Sequence, residues 1–254
     1  MIRLVKNEWK KIFHSRAKWL FYALILGTVG LALTFSSYTL DDDISHNFIE
    51  FMYNVSFFKI TITIFTISVA ATIFSNEYSS GTIKFLLIRP VNRLKIFTAK
   101  LLTVLLVGFA MLFSILLMSF LVGIIFYGFD NLESSASMSF QLLIGYLSEM
   151  AQFIAISFFA MMLSIFFRNS VFALGVSYVV LFSGTLLTQV LKILGENWAR
   201  FLLFSNVDFT QYIADNAPIF KGMSVPFSIG IILIHIISFT AISFFFFTKT
   251  DVLS

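Results

Sequence analysis

The sequence predicts an all-α membrane protein with six transmembrane helices and an N-terminal interfacial helix. Of its 254 residues, 59% are hydrophobic and only 12% are charged, against about 25% charged residues in a typical soluble domain. The mean hydropathy is +0.94, and apolar runs recur along the whole chain. A soluble fold could not bury this much apolar surface, so residues 1–254 are predicted to form one membrane domain.

A helix needs about 20 apolar residues to cross the hydrocarbon core of a bilayer. We predict a transmembrane helix in each of six stretches: 19–38, 57–74, 97–127, 140–167, 171–191 and 226–247. The third and fourth are longer than a span requires, so we expect them to tilt or to extend beyond the bilayer. The alternating segments of about ten residues that are typical of a membrane β-barrel are absent from the sequence.

The leader before the first span, residues 1–18, is amphipathic at the helical repeat of about 100° per residue. The apolar face holds Ile2, Val5, Trp9, Ile12 and Phe13, and the polar face holds Arg3, Lys6, Asn7, Lys10, Lys11 and His14. This pattern predicts a helix that lies on the inner leaflet, with its basic face toward lipid headgroups. The alternative is a solvated basic leader without a helix.

Lysine and arginine are distributed unevenly between the two ends of the predicted spans. Placing the N-terminus inside puts 13 of the 17 basic residues on the inner side, including six in residues 1–18 and five in residues 75–100. Basic residues are retained on the cytoplasmic side of membrane proteins. The sequence therefore predicts a plasma-membrane protein with both termini in the cytoplasm, and it makes nucleic acid an unsuitable partner for these charges.

Several classes of chemistry are excluded by residues that the sequence lacks. There is no cysteine, which removes thiolate metal sites and cysteine nucleophiles. There is no G-x-x-x-x-G-K-[ST] phosphate-binding loop, and the three histidines do not have the H-E-x-x-H spacing of a zinc protease. The chain is therefore predicted not to be an enzyme, and no catalytic or metal-ligating residue is assigned.

Three ionisable residues fall within or near predicted spans and are candidates for a substrate path: Lys59, Glu149 and His235. An ionisable group inside a membrane is functional by default. Lys59 and Glu149 could form a pair or line a polar outer vestibule; alternatively, both helices begin later and both side chains reach water. His235 is either functional or a neutral imidazole bonded to a neighbouring helix.

The segment between the second and third spans, 76–96, combines polar ends with an apolar middle. It is too polar to lie in lipid, yet Ile83 and the run 85–88 are too apolar for a solvated loop. We therefore predict a short cytoplasmic helix that needs a protein partner, ended by Pro90 because proline interrupts helices.

This segment resembles that of the ABC-2 family of transporter permeases, in which Glu, Gly-Thr, an apolar run, Pro and Arg follow the second span. The matching positions in this chain are Glu77, Gly81, Thr82, Leu86, Leu87, Pro90, Arg93 and Lys100. The motif covers residues 76–100, and the six spans and the amphipathic leader extend the resemblance to the full length. The resemblance implies a type V exporter-like permease whose segment 76–96 is a coupling helix seated in an ATPase subunit.

The resemblance also implies the partners and the site. The permease would form a homodimer or heterodimer and recruit two copies of a separate ABC ATPase, which binds ATP and Mg²⁺, so that the permease itself binds no cofactor. The residues implied to couple it to the ATPase are Glu77, Gly81, Thr82, Phe85, Leu86, Arg89, Pro90 and Arg93.

Within the family, the short length and the outer loop 195–225 resemble permeases of Gram-positive bacitracin and lantibiotic immunity transporters and of the phenol-soluble modulin exporter. This implies a Gram-positive cell and a hydrophobic or amphipathic peptide as the exported substrate. Apolar positions in the outer loop, such as Trp198 and Phe201, fit either short helices on the outer membrane face or a packed cap over the dimer. A secondary transporter or channel for small solutes or ions is the alternative function.

Overall fold

The computed structural model describes residues 1–15, 17–38, 48–82, 92–128, 136–213 and 217–249. Across these ranges the regular structure is entirely helical, and six helical stretches are long and apolar enough to cross a membrane. This confirms the prediction of an all-α chain with six membrane-spanning helices. The nine α-helices are α1 (Ile2–His14), α2 (Ala17–Tyr38), α3 (Phe48–Ser56), α4 (Ile60–Ser79), α5 (Arg93–Tyr127), α6 (Ala136–Phe167), α7 (Ser170–Ile193), α8 (Leu203–Asn206) and α9 (Val225–Lys249), counted within the described ranges.

The N-terminal leader is helical, so the alternative of an unstructured leader is wrong. Trp9 stacks on Phe13 with ring centroids 4.6 Å apart, and Phe13 meets Phe21 of α2 at 5.3 Å. The apolar face thus packs partly on the protein, while Ile2 at its start remains 84% exposed. Ser15 ends the helix by donating its hydroxyl to the Ile12 carbonyl at 2.6 Å.

The second span differs most from its prediction. Helix α4 continues five residues beyond 74, and a separate short helix, α3, precedes it. Helix α3 buries Phe48, Phe51 and Val55 at helical spacing. Phe51 stacks on Tyr127 of α5 at 5.3 Å. Polar residues between these apolar positions lowered the hydropathy of 48–56, which is why the sequence did not indicate this helix.

The long third and fourth spans are confirmed. Helix α5 has 35 residues and α6 has 32, so α5 is about 52 Å long at 1.5 Å per residue. Asn92 begins α5 by accepting a hydrogen bond from the Leu94 amide at 3.0 Å. Between α6 and α7 the chain reverses within two residues: Arg168 has a left-handed backbone with φ 53°, and Asn169 caps α7 at the Val171 amide.

Contacts between different helices fall into two groups, one on each side of the bundle. On the N-terminal side, α1, the end of α4, the start of α5 and the end of α9 meet, as when Arg93 donates to the Thr248 carbonyl at 2.5 Å. On the opposite side, α3, the start of α4, the start of α6 and residues 195–213 meet. There Lys59 donates to the Gly145 carbonyl at 3.0 Å, and the Phe209 amide donates to Ser148 at 2.8 Å.

Helices α4 and α6 form the centre of the bundle. In an apolar 18-residue stretch of each of the spans 48–79 and 138–167, 56% of the residues are buried, against between 11% and 33% in the other four spans. Phe65, Phe74 and Phe153 are fully enclosed. Gly108 allows α5 to approach this centre, because a Cβ at that position would lie 2.5 Å from the Phe153 ring. The peripheral helices direct large apolar side chains outward, as expected of a surface that faces lipid.

Candidate functional site

A cluster of four charges joins three helices on the N-terminal side. Lys100 of α5 is 1% exposed, and its Nζ lies 2.9 Å from the Glu8 carboxylate of α1 and 2.8 Å from that of Glu77 in α4. It also donates to the Ile73 carbonyl at 3.0 Å. Lys11 bridges the same two carboxylates from α1, at 2.8 Å and 3.0 Å. We call Glu8, Lys11, Glu77 and Lys100 the charge cluster.

The charge cluster is electrically balanced, which makes the burial of Glu8, Glu77 and Lys100 tolerable, while Lys11 reaches the surface. A buried ion is costly unless it is paired and hydrogen-bonded, and here two ammonium groups face two carboxylates. Burial by itself would raise the pKa of Glu8, but Lys100 and Lys11 hold that pKa below its usual value. Burial likewise opposes the charge on Lys11, yet Glu8 and Glu77 raise the pKa of Lys11 above its usual value. Both residues are therefore charged at neutral pH.

Only the two ends of the predicted coupling segment lie within the described residues. Residues 76–79 belong to α4 and residues 93–96 belong to α5, so the connection between the helices is shorter than predicted. The reason is that Glu77 pairs with Lys100 and so remains within a helix. Phe85, Leu86, Arg89 and Pro90 lie outside the described residues, and so does the short helix predicted there.

The other motif residues lie at the ends of this connection. Gly81 has φ 69°, a left-handed conformation suited to glycine that directs the chain away from α4. Thr82 is exposed and its hydroxyl meets Ser80 at 2.8 Å. Arg93 contacts the end of α9. Glu77 therefore faces the interior of the bundle, whereas Gly81 and Thr82 face outward.

An amphipathic groove of about 1100 Å³ runs beside the charge cluster, between α1 and the start of α2 on one wall and α4 on the other. Its polar rim includes Asn7, Lys10 and Lys11, and its apolar floor includes Leu20, Phe65 and Val69. The combination of a charged rim with an apolar floor can accommodate an amphipathic molecule. Glu77 and Thr82, two of the predicted coupling residues, are among its lining residues, but the groove itself was not predicted from the sequence.

Helix α4 presents a polar stripe to this groove. Ser68, Thr72 and Asn76 follow at intervals of four residues, line the groove and are not buried. Ser68 is also bonded to the Tyr178 hydroxyl of α7 at 2.7 Å, and that hydroxyl donates to the Ile64 carbonyl at 3.0 Å. The central helix of the bundle thus has one polar, accessible face, bounded by α2 and α7.

Lys59 and Glu149 lie near each other on the opposite side but form no ion pair with each other. Glu149 accepts a hydrogen bond from Thr63 at 2.6 Å and is only 3% exposed, so the interpretation in which it reaches water is wrong. Lys59 is half-buried, donates to the Gly145 carbonyl, and lines a cavity of about 370 Å³. Because Lys59 lines this cavity, its position agrees with the interpretation that it lines a polar vestibule.

His235 hydrogen-bonds within its own helix. Its Nδ1 donates to the Ile231 carbonyl of its own helix at 2.9 Å, and its ring lies 5.9 Å from that of Phe239. Within the described part of the chain no bond from His235 to a neighbouring helix is seen, so both interpretations of this residue stay predictions. Among the described residues, no three His, Asp or Glu side chains are grouped in a way that could hold a metal ion.

The described part of the predicted outer loop 195–225, which we call the cap, consists of short helices that pack on the bundle. It contains the 3-10 helices Asn197–Phe201 and Phe209–Tyr212 on either side of α8. The cap is fixed to α9 where Ser228 donates to Asn206 at 2.7 Å. Trp198 and Phe201 remain 54% and 48% exposed, so the outermost part of the loop keeps an apolar surface.

Sequence reasoning missed Glu8 and Lys11 as members of a site. Glu8 is the single acidic residue in the basic leader, and it lies three residues before Lys11 on one helix face. An isolated acidic residue in a basic amphipathic helix indicates a specific cationic partner, and this signal was present in the sequence.

A family profile described as "Protein of unknown function (DUF2705)" matches residues 14–253. The chain belongs to the DUF2705 family. Two relatives come from Bacillus subtilis (strain 168). "Uncharacterized membrane protein YdbK" is 37% identical over 222 residues, covering 87% of this chain and 90% of the relative. "Uncharacterized protein YhcI" is 31% identical over 314 residues, covering 99% of each chain.

The first relative's name describes a membrane protein, and this DUF2705 chain has six apolar helices of membrane-spanning length. It is a multi-pass membrane protein. The DUF2705 match begins at His14, so it includes Glu77 and Lys100 of the charge cluster, whereas Glu8 and Lys11 precede it.

Proposed function

We propose that this DUF2705 protein is the permease subunit of an ATP-driven exporter of the ABC-2 type. It moves hydrophobic or amphipathic peptides out of the cell, for export or for immunity, and it lies in the plasma membrane with both termini in the cytoplasm. The observation that carries the proposal is the charge cluster. It fixes both ends of the 80–92 connection to each other and to α1.

A coupling element must transmit force rather than absorb it. Glu77 lies three residues before the connection begins and Lys100 lies two turns into α5, and their 2.8 Å ion pair makes the two helix ends move as one unit. A displacement of the connection by a partner therefore displaces α4, the central helix. Nucleotide state can shift the permease between two arrangements only through such differential contact.

The groove supplies a route that suits the proposed substrate. An amphipathic peptide presents apolar and polar faces together, which match the apolar floor and the polar rim of the groove. The Ser68–Thr72–Asn76 stripe on α4 is the polar, accessible face that a second protomer would cover. Hydroxyl and amide side chains on such a face hydrogen-bond across helices in membranes.

The experiment tests whether a variant can lose its coupling to the ATPase while it still folds. The variant Phe85→Ala with Leu86→Ala removes two apolar anchors, each worth about 1 kcal/mol or more at an interface. We expect it to insert and fold, but to retain less ATPase in a pull-down and to export less peptide. The ATPase to test is a protein with a G-x-x-x-x-G-K-[ST] loop that is encoded by a neighbouring gene, where the genome contains one.

The matched control is Phe113→Ala with Leu117→Ala, which removes the same side chains from exposed positions on α5. This control should bind the ATPase and export peptide like the parent. If the 85/86 variant does so too at equal expression, the 80–92 connection is an ordinary loop and the proposal loses its support.

Glu149 favours a second function, an ion-coupled secondary transporter. A fully buried carboxylate in a membrane helix is typical of proton and ion pathways, and Glu149 is buried in α6 beside Thr63. Reconstituted protein distinguishes the two functions. Transport that needs the ATPase and ATP supports the exporter, while transport that is driven by an ion gradient alone and lost in Glu149→Gln supports the alternative.

A further inference from the structure

We propose that the cavity between α3, α6 and residues 209–213, on the side opposite the N-terminus, is a binding site for an oxyanion of the phosphate class, held by the Lys59 ammonium group. The cavity has a volume of about 370 Å³. This space is equivalent to about 12 water molecules at about 30 Å³ each. The proposal does not depend on the transport function proposed above.

Lys59 is positioned to donate into the cavity. It lies in the turn between α3 and α4, and one of its three donors is used by the Gly145 carbonyl at 3.0 Å. A Cβ at Gly145 would lie 3.1 Å from this Nζ, so glycine gives the ammonium group the space it occupies. Its other two donors have no bond to the described residues, so this half-buried ammonium group can offer them to a ligand in the cavity.

Within the described residues no carboxylate forms an ion pair with Lys59, although Glu149 lies close enough to interact with it electrostatically. The ion pairs of the described part of the chain involve Lys11 and Lys100 but not Lys59. Asp208, near the cavity wall, directs its carboxylate to the Thr210 amide at 2.9 Å and to the Thr210 hydroxyl at 2.5 Å. Glu149 is committed to Thr63.

The cavity wall offers several hydrogen-bond donors, and none of the described residues that line it is acidic. Besides Lys59, it is lined by Tyr53 and Gln141, whose hydroxyl and amide groups can donate to oxygen atoms. Ser56 and Thr210 also line it, but their hydroxyls already donate to the Tyr53 carbonyl and to Asp208. Hydrogen bonds from an ammonium group to an anionic oxygen are about twice as strong as neutral ones. The wall therefore suits an anion with several oxygen atoms better than a cation or an apolar group.

The Glu149 carboxylate limits how deep an anion can bind in the cavity. It lies four residues after Gly145, one helical turn further into the bundle, and Thr63 lies one turn beyond Lys59 in the same direction. The buried carboxylate repels an anion from that level. The oxyanion is thus confined to the level of Lys59, near the membrane surface, where both a lipid headgroup and a free phosphate can arrive.

The experiment measures thermal unfolding of the full-length protein in a non-ionic detergent without phospholipid. One arm adds inorganic phosphate, with sodium chloride at equal ionic strength as its control. The other adds phosphatidylglycerol, with an uncharged glycolipid as its control. We expect at least one anionic probe to raise the melting temperature. A response to phosphate assigns the site to a free anion, and a response to phosphatidylglycerol alone assigns it to a lipid headgroup.

Variants then localise the response. Lys59→Gln should weaken the apparent affinity about tenfold or more, as expected when a charge-assisted bond is lost, while Lys59→Arg should retain it. Lys192→Gln makes the same charge change at an exposed position on the same side and should respond like the parent. Gln141→Ala, which keeps the charge, should weaken binding if Lys59→Gln fails to fold. No response of the parent to either probe, or an equal response of Lys59→Gln, would overturn the proposal.

Discussion

Lys100 of α5 donates a hydrogen bond to the Glu8 carboxylate of α1 at 2.9 Å, across 92 positions of the chain. An amphipathic helix at a membrane surface is ordinarily held by its apolar area and by lipid charge. Here a buried ion pair also attaches α1 to the helix bundle. The N-terminal helix is therefore part of the folded unit that contains α4 and α5.

Lys100→Met should strongly destabilise the protein. Removing one partner of a buried ion pair typically costs about 3–5 kcal/mol, and this change leaves Glu8 and Glu77 buried with only Lys11 between them. A lower free energy of unfolding in a detergent titration is the expected result. Lys95→Met removes a lysine from an exposed position of the same helix and should have little effect. Equal effects of the two changes would contradict the role of Lys100.

The stability supplied by the charge cluster should be constant between about pH 4.5 and pH 10.5, the ordinary pKa values of its Glu8 and Lys11. The pKa of Glu8 is lowered in the folded state, so its contribution is lost as pH falls through that lowered pKa. The pKa of Lys11 is raised, so its contribution is lost as pH rises through that raised pKa. Melting temperature against pH should show both limbs.

Glu8→Gln provides the control for the acid limb. It should melt at a lower temperature than the parent at pH 7 and lose less between pH 7 and pH 3.5, because the titrating group is gone. A parallel acid limb in parent and variant would show that other carboxylates control acid stability.

The two sides of the bundle should be labelled from opposite sides of the membrane. In this cysteine-free chain, Ser79→Cys and Trp198→Cys each introduce one thiol at an exposed position on a different side. An impermeant thiol reagent should label position 198 in intact cells and position 79 only after permeabilisation, as the lysine and arginine distribution predicts. Labelling of position 79 in intact cells would reverse the topology.

Gly184→Ala should destabilise the packing of the outer cap on α7. A Cβ at this position would lie 2.2 Å from the Phe204 ring, and such overpacking typically costs about 1–3 kcal/mol. Gly175→Ala is the matched control in the same helix, because nothing lies within 4 Å of its Cβ. It should be neutral or slightly stabilising, as alanine favours helix. Equal melting temperatures for the two variants would contradict the close contact.

The number and order of the spans could be predicted from the sequence because membrane thickness imposes a length on every apolar run. Helix α3 could not, since its apolar face is only a few residues long and merges with the start of the second span. Phe48 and Phe51 gain their burial from α5, and no local pattern reveals that contact.

The charge cluster illustrates why the site was harder to predict than the fold. Each of its lysines is also a topology signal, and that interpretation accounts for them without any partner. The pairing of Glu8 with Lys100 depends on how α1 folds back on α5. The hydrogen-bond partner of Lys59 is the Gly145 backbone carbonyl. Every residue has a backbone carbonyl, so apart from the glycine itself the sequence contains no sign of this contact.

The order of the charge cluster along the chain has a consequence for biogenesis. Both carboxylates that neutralise Lys100, at positions 8 and 77, precede it, and a chain is made from its N-terminus. When α5 leaves the ribosome, the Glu8 and Glu77 carboxylates have already been synthesised and lie at the same membrane surface. Lys100 can thus be neutralised as it is inserted, whereas a nascent chain that lacks Glu8 would bring this lysine to the bilayer with one carboxylate fewer.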